Sequence, residues 1–393
     1  MNLDGFSKKY HNMVYLDSAA TSLTPLDVVK AGSQYYTDYN ANPHRGMYHI
    51  SERASYEWEG TRCELENWIN TENTPNGRLA FVSGATMGLN IIAWNWSRWC
   101  RQAVNDIRPA RVHIGPAEHH SNIVNWQTHD IDIVSSANWE DFLEGLRHIP
   151  PGLVSVSHYA NTTGVEAPVD KLWEICESRG HFLFLDCCQT PAHHPLPAEH
   201  CHGFTFSAHK MYGPNGIGGL WFRDFNKYST NHKFCQPMIA GGGIVDSVSL
   251  GETQLKQFPQ VMEAGTGNVP GVTGLRAAKR FVERQGYPNL QAHSHALCGQ
   301  TIESLSDICD IYVKPSEATS IIPFNVQGVH PSDVATLLGI DDICVRSGKL
   351  CAEPYINTLN PEGIVRASFG IYNTVEDVEV FVDAVRTIHS RHS

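Results

Sequence analysis

The chain has 393 residues, of which 41% are hydrophobic and 18% charged, a globular composition with enough apolar material for one large domain and a smaller one. Its net charge of -12 gives no basic surface for nucleic acid and no polybasic patch for a membrane. No apolar run approaches the roughly 18 residues that span a bilayer, and the first residues lack the basic-then-apolar pattern of a secretory signal. We therefore expect a cytoplasmic protein that binds neither nucleic acid nor membrane.

The cysteines and histidines do not predict a metal site. Eleven cysteines are present, without a CxxC pair or zinc-type spacing. The histidine pairs His119-His120 and His193-His194 lack carboxylates or cysteines at fixed offsets. We expect no metal and interpret most cysteines as small buried hydrophobic residues.

The first part of the chain predicts a strand that leads into a phosphate site. Val14–Thr21 has the pattern of a short strand that ends in small residues, including Ala19, which allow a ligand to approach the backbone. Leu79–Val82 is a predicted strand, followed by a glycine turn with Ala85 and Thr86 and a helix expected from Ile91. Unpaired N–H groups at such a helix start attract an anion. The alternative is an ordinary helix start that binds nothing.

The following segments alternate between strands and helices, with polar residues after the strands. Strands are predicted at Arg111–Ile114, Leu153–Ser157, His181–Asp186 and Gly203–Phe206. This alternation predicts an α/β fold with a mainly parallel sheet, and ligands of such sheets bind at the carboxyl ends of the strands. Asp186 ends an almost continuous apolar run, where an unpaired carboxylate is costly, so it is either functional or a helix cap.

Lys210 follows the strand Gly203–Phe206 and precedes a turn that contains Gly213 and Pro214. Burial at a sheet edge disfavours the ammonium form and leaves a nucleophilic amine. Such amines form Schiff bases with carbonyl compounds, pyridoxal 5'-phosphate (PLP) among them. Considered alone, the residue is better explained as an ordinary exposed lysine beside a turn, since most lysines are exposed.

The last third of the chain changes character, with mixed strands and helices that alternate little. We predict an N-terminal segment (1–20) that packs with the small domain, a large domain (21–275) and a smaller α+β domain (276–393). The small domain carries a glycine-containing loop with Cys351.

The motifs together resemble the PLP-dependent fold-type I enzymes of the class V aminotransferase-like branch, and within it the group II cysteine desulfurases and selenocysteine lyases. The resemblance covers nearly the whole chain. The motifs, in order, are Tyr15–Ala20, Pro43–Gly46, Glu118–Val124, Leu185-Asp186 with Gln189, Ser207–Pro214, Glu263–Thr266, Arg346–Gly348 leading to Cys351, and Arg366–Thr374.

The resemblance implies a cofactor site with assigned roles. Lys210 would bind PLP covalently and then shuttle the proton, Asp186 would pair with the pyridine nitrogen, and His119 would stack on the ring. Gln189 would bond the phenolic oxygen, and Asn161 would lie near the ring and the substrate. The phosphate cradle would consist of Ala85, Thr86, Ser207 and His209.

The resemblance also implies a homodimer and a substrate site. Thr266 would reach the phosphate of the neighbouring subunit. Arg366 would bind the substrate carboxylate through paired hydrogen bonds, with help from Arg346. Ala19 and His44 complete the predicted substrate-binding set.

Cys351 is the residue that selects the reaction within this family. In desulfurases a thiolate attacks the sulfur of bound L-cysteine, which leaves L-alanine and a persulfide for transfer to an acceptor, often a protein. Arg346 nearby would favour the thiolate. The chain departs from the family at Lys349-Leu350, where short-loop members usually carry two histidines, and at Cys187-Cys188, where Gly-Ala is usual.

Three interpretations stay open at this point. The chain is a cysteine desulfurase, or it is another class V PLP enzyme (a C–S lyase, selenocysteine lyase, epimerase or aminotransferase-like enzyme) in which Cys351 accepts no sulfur. The third is a non-catalytic scaffold that binds a sulfur-carrier partner. The residues do not distinguish sulfur from selenium, nor name the acceptor.

Overall fold

The computed structural model describes residues 5–10, 12–103, 110–224 and 236–392. The strands are β1 (Val14–Tyr15), β2 (Arg78–Val82), β3 (Arg111–Ile114), β4 (Asp132–Val134), β5 (Leu153–Ser157), β6 (Phe182–Asp186), β7 (Gly203–Ser207), β8 (Gly218–Phe222), β9 (Val245–Val248), β10 (Thr253–Leu255), β11 (Cys309–Ile311), β12 (Ile321–Val326), β13 (Ile343–Cys344), β14 (Arg346–Gly348) and β15 (Ile364–Ser368). The α-helices are α1 (Leu26–Asp38), α2 (His49–Ile69), α3 (Ala85–Ala103), α4 (Val124–Thr128), α5 (Trp139–His148), α6 (Val169–Arg179), α7 (Val269–Gln285), α8 (Tyr287–Leu305), α9 (Pro331–Ile340), α10 (Glu353–Leu359) and α11 (Val375–His392).

A seven-stranded sheet, in the order β2-β8-β7-β6-β5-β3-β4, forms the centre of the molecule. Strands β7, β6, β5, β3 and β4 run parallel, and β8 pairs antiparallel with both β7 and β2. The predicted α/β fold with a mainly parallel sheet between helices is confirmed. Strand β2, antiparallel to β8, runs in the same direction as those five, so the carboxyl ends of six strands meet at one edge and gather the polar residues that follow them.

Both faces of this sheet are buried. In β6, Leu183 and Leu185 belong to one apolar core cluster, whereas Phe184 between them belongs to another. Alternate side chains of a strand point to opposite faces, so a strand covered on both sides needs an unbroken apolar run. This explains why the sequence at 182–185 shows no polar alternation.

A second, four-stranded sheet has the order β11-β12-β15-β14 and is antiparallel throughout. Its core includes Phe324 of β12, Val365 of β15 and Phe381 of α11. The N-terminal segment joins this part of the molecule, since β1 pairs in parallel with β13. Helix α7 continues without a break through position 275, and it packs against α1 and α2. The domain limits at 20 and 275 stay predictions.

Two local features differ from what the sequence predicts. Helix α3 begins at Ala85 rather than at Ile91, because the side chain of Ser207 accepts the first N–H of the helix, that of Ala85, at 2.9 Å. A sequence pattern cannot show this cap, which comes from a distant strand. The hairpin β9-β10 was also not predicted, and most of its residues are exposed, so it lacks an apolar pattern.

Within the described ranges, no helix has the length and apolar character needed to cross a bilayer. The same residues contain no cluster of three or more histidine, cysteine, aspartate or glutamate side chains arranged to hold a metal ion.

Candidate active site

A cleft with about 1230 Å³ of empty space lies at the carboxyl edge of the parallel strands, between the large sheet and the segment that carries Cys351. It is lined by Ala19, Ala20, Ala85, Thr86, His119, Ser121, Ser157, Tyr159, Asn161, Asp186, Cys188, Gln189, Ser207, His209, Lys210, Arg346, Ser347, Leu350, Cys351 and Arg366. The structure thus brings together all the predicted site residues except His44 and Thr266.

Lys210 lies just past the end of β7, on the short 3-10 helix Ala208–Lys210, and it is half-buried. Two histidines flank it in space. Burial, with the Lys210 charge adding to it, lowers the pKa of His119 and of His209 to about 4 each. Both rings are therefore neutral near pH 7.

Asp186 ends β6 beside Lys210 and is 5% exposed. One carboxylate oxygen, Oδ1, accepts the backbone N–H of Cys188 at 3.0 Å. A carboxylate that is buried at a strand end suits a protonated ring nitrogen, because an opposite charge offsets the cost of burial.

The N-terminus of α3 forms the anion-binding end of the cleft. Gly84 before it has a φ of +155°, and a Cβ there would lie 3.1 Å from Ser207 Oγ, so this close approach requires glycine. A helix start with unpaired N–H groups and a nearby hydroxyl is a standard site for phosphate.

Ser207 is oriented within that end by two neighbours. Its Oγ accepts the Ala85 N–H at 2.9 Å and the thiol of Cys188 at 3.5 Å. Burial raises the pKa of Cys188 to about 12, so this thiol keeps its proton and remains a donor. Since a hydroxyl has two acceptor positions and one proton, both acceptor positions are filled and the proton is free to donate to an anion.

His119 is fixed by a chain of polar contacts. Its Nδ1 accepts the N–H of Ser121 at 3.0 Å, so the neutral ring carries its proton on Nε2. The Ser121 hydroxyl lies 2.9 Å from His119 Nδ1 and 2.9 Å from the hydroxyl of Thr86. The ring orientation is therefore tied to the start of α3.

Gln189 and Asn161 line the cleft and each bonds a different segment of the chain. The Gln189 amide donates to the Ala19 carbonyl at 2.8 Å, which leaves a second N–H for a ligand oxygen. The Asn161 amide donates to the Leu350 carbonyl at 2.8 Å and so bonds the segment before Cys351. Asn161 therefore has a loop-holding contact that the sequence did not indicate.

Arg366 and Arg346 share one carboxylate, that of Asp17. Arg366 Nη2 donates to Asp17 Oδ1 at 3.2 Å, and Arg346 Nη2 donates to Asp17 Oδ2 at 2.8 Å. Arg366 is 2% exposed, and its Nε is buried without a hydrogen-bond partner within the described part of the chain. Burial lowers the pKa of the Arg366 guanidinium, and Asp17 opposes that change. An incompletely paired guanidinium in a cleft is suited to a substrate carboxylate.

Cys351 lies at the edge of the cleft, between β14 and α10, and is exposed. An exposed thiol that lines a cleft is accessible to a bound substrate and also to a partner outside.

His44 and Thr266 lie outside this cleft and are exposed. The sequence did not predict a role for Asp17 or for Cys188. Asp17 lay within the quoted Tyr15–Ala20 motif, and Cys188 was noted as a departure from the family. Only the folded chain shows that the first pairs with two arginines and the second contacts Ser207.

These observations fit PLP. The cleft offers a half-buried lysine for its carbonyl carbon, a buried carboxylate for its ring nitrogen, and a helix start with an oriented hydroxyl for its phosphate. Arg366, whose guanidinium lines the same cleft, supplies a cation for a second, anionic group.

Comparisons with known proteins identify the family of the chain. The aminotransferase class-V family matches residues 14–381. A probable cysteine desulfurase of Halalkalibacterium halodurans is 33% identical over 93% of this chain and 91% of that protein. A cysteine desulfurase of Escherichia coli is 31% identical over 96% of this chain and 93% of that protein.

Solved structures give the same result. The apo cysteine desulfurase of Thermococcus onnurineus superimposes with a TM-score of 0.87 at 30% identity, covering 97% of this chain and 95% of that one. The cysteine desulfurase CsdA of Escherichia coli has a TM-score of 0.84 at 28% identity, covering 99% of this chain and 98% of that one. The chain therefore belongs to the aminotransferase class-V family and, within it, to the cysteine desulfurases, a family of PLP-dependent enzymes.

Proposed function

We propose that this protein binds PLP and converts L-cysteine to L-alanine, with transfer of the substrate sulfur to Cys351 as a persulfide. The observation that carries the proposal is one cleft that holds Lys210, Asp186, Arg366 and the exposed Cys351. The first two residues suit the cofactor, the third suits the substrate carboxylate, and the fourth supplies a thiol.

When bound, PLP supplies an electron sink that labilises bonds at the substrate α and β carbons. The chain's own residues then have separate tasks. Asp186 keeps the ring nitrogen protonated, Lys210 holds and moves the proton at the substrate carbons, and Arg366 binds and orients the carboxylate.

The sulfur step balances without an external oxidant. The carbon–sulfur bond of L-cysteine breaks and a sulfur–sulfur bond to Cys351 Sγ forms. The departing sulfur is oxidised to the persulfide level while the β carbon gains a hydrogen and is reduced. L-cysteine plus a thiol therefore gives L-alanine plus a persulfide, which an acceptor, such as a protein with its own thiol, then removes.

We also propose a homodimer whose neighbouring subunits complete each active site. In support, Thr266 is exposed on the surface rather than in the cleft of its own chain. Apolar side chains are also exposed. Met47, three residues after His44, is 97% exposed, and in the hairpin β9-β10 Val248 is 67% exposed and Leu250 is fully exposed. A second copy would cover such side chains. The cytoplasm stays the expected compartment.

The test is to supply L-cysteine to the PLP-loaded protein and to assay L-alanine and protein persulfide together. Cys351→Ser should keep the cofactor and its visible absorbance but form neither product above background. Cys63→Ser, at another exposed cysteine, is the matched control and should behave as the unaltered protein. Unchanged alanine formation by Cys351→Ser would exclude the proposed role of the thiol, and parallel assays with L-selenocysteine would compare the two substrates.

A further inference from the structure

The segment from Lys349 to Glu353, which carries Cys351, has an unfavourable backbone conformation. Leu350 has a φ of +51° and Cys351 a φ of +54°, so two successive residues with side chains lie in the left-handed region. That region is disfavoured for residues other than glycine, and asparagine or aspartate to a lesser degree. Such a conformation persists only where surrounding contacts impose it.

His120 makes two of those contacts. Its backbone N–H donates to the Cys351 carbonyl at 2.6 Å, and its ring Nε2 accepts the backbone N–H of Glu353 at 3.1 Å. The two hydrogen bonds lie on either side of Ala352. A nitrogen that accepts an amide proton carries a lone pair, so Nε2 is the unprotonated ring nitrogen in this contact.

The Asn161 amide, which donates to the Leu350 carbonyl at 2.8 Å, makes a third contact, and the residues before the cysteine provide further ones. Leu350 is 7% exposed and packs in a small apolar cluster with Ile356 and Ile364. Lys349 Nζ donates to the side chain of Asn357 and to the Pro361 carbonyl. Lys349 and Leu350, which stand where related short loops usually carry two histidines, therefore attach the segment to the small domain. His120 attaches it to the large sheet.

The preceding residue, His119, links this attachment to the cofactor site. His119 faces the cofactor site, and the two residues are consecutive in the loop after β3. A displacement of about 1 Å at a reacting group can reduce a rate by about a hundredfold. The dipeptide therefore sets the position of the thiol relative to the cofactor site.

We propose that His120 is a positioning residue for Cys351, which fixes the thiol in the cleft by holding the Cys351 carbonyl and the Glu353 amide. This inference rests on the proposed desulfurase function. His120 is not among the residues that line the cleft, and its ring and N–H bond the backbone of the cysteine segment, so its role is to position the thiol.

The test compares His120→Ala with His120→Gln in the PLP-loaded protein. Alanine keeps the backbone N–H but removes the ring acceptor, whereas the glutamine carbonyl oxygen can accept the Glu353 N–H again. We expect His120→Ala to lower kcat for alanine and persulfide formation about tenfold with KM for L-cysteine and the visible absorbance of the cofactor unchanged. His120→Gln should recover to within about twofold.

Hydrogen exchange supplies a readout that is independent of activity. Within the peptide that spans 349–355, the Glu353 amide should exchange at least about tenfold faster in His120→Ala than in the unaltered protein, because it loses its acceptor. His330→Ala is the matched control, since that ring also accepts a backbone N–H, from Ser332, but lies outside the cleft. It should change neither kcat nor exchange of this peptide.

Each outcome decides the proposal. Faster exchange with a lower kcat and recovery by glutamine supports it. An unchanged kcat in His120→Ala, or a glutamine variant as slow as the alanine variant, overturns it. If the unaltered protein forms no persulfide, the proposed function fails, whereas the exchange measurement still shows whether His120 holds the segment.

Discussion

Asp17 holds two arginines of the candidate substrate site, and Asp17→Asn tests how much of the fold depends on that charge. Asparagine keeps the size and one acceptor oxygen but removes the negative charge. The side chains of Arg366 and Asp17 are 3% and 12% exposed, so the change leaves a buried guanidinium without a counter-ion. Removal of one partner of a buried pair costs about 3–5 kcal/mol. We expect a loss of about 3 kcal/mol, because asparagine can still accept one hydrogen bond.

The second ion pair of Asp17 contributes much less. The Arg346 side chain is 52% exposed, and solvent screens its attraction to the carboxylate. Pairs of this kind contribute about 0–1 kcal/mol. Arg346→Gln is therefore the matched control, and it should lower the free energy of unfolding by less than about 1 kcal/mol.

The assay is urea unfolding of both variants, followed by tryptophan fluorescence. Asp17→Asn should also bind L-alanine more tightly, since Arg366 no longer shares its charge with an internal carboxylate. The reasoning is refuted if Asp17→Asn loses less than about 1 kcal/mol, or if Arg346→Gln destabilises the protein as much as Asp17→Asn does.

Two further predictions concern the cofactor cradle and the response to pH. Cys188→Ala removes a donor to Ser207 and should weaken binding of PLP to the cofactor-free protein by about twofold to tenfold in an absorbance titration. Cys188→Ser keeps a donor and should keep the affinity. Equal affinity in all three proteins would contradict the proposed orientation of the Ser207 hydroxyl. Burial lowers the pKa of His113 to about 4 and of His193 to about 3. Below pH about 6.5 the unfolded chain therefore binds more protons than the folded chain. The free energy of unfolding should fall as the pH falls from about 6.5 towards 4. Burial raises the pKa of Glu118 to about 7, so this one group increases the free energy of unfolding as the pH falls, and the two histidines outweigh it. Urea titrations in which the free energy of unfolding rises as the pH falls over this window would show the prediction to be wrong.

The sequence predicted the cofactor side of the site because those residues follow parallel strands. Asp186 and Lys210 come directly after apolar runs that have the pattern of buried strands, and the carboxyl ends of parallel strands meet at one edge. Local pattern and fold rule together place such residues at the sheet edge, although they do not assign their function. The resemblance to class V enzymes added the remaining roles, and the comparisons confirmed the family.

The sequence did not predict contacts between residues that are far apart along the chain. Asp17 pairs with Arg346 and Arg366 through side chains on different elements, and no local pattern encodes such a pair. The start of α3 was misplaced for the same reason, because its cap comes from Ser207.

The sequence by itself thus determined the fold class, the family and the chemical types of the groups at the sheet edge, since apolar periodicity and motif order depend on neighbours along the chain. Only the tertiary structure decided how those groups are held: which carboxylate compensates Arg366, which side chains orient Ser207, and how His120 fixes the Cys351 segment. Hydrogen bonds and ion pairs act over a few ångströms in space, and the distances between these partners are set by packing of the whole chain.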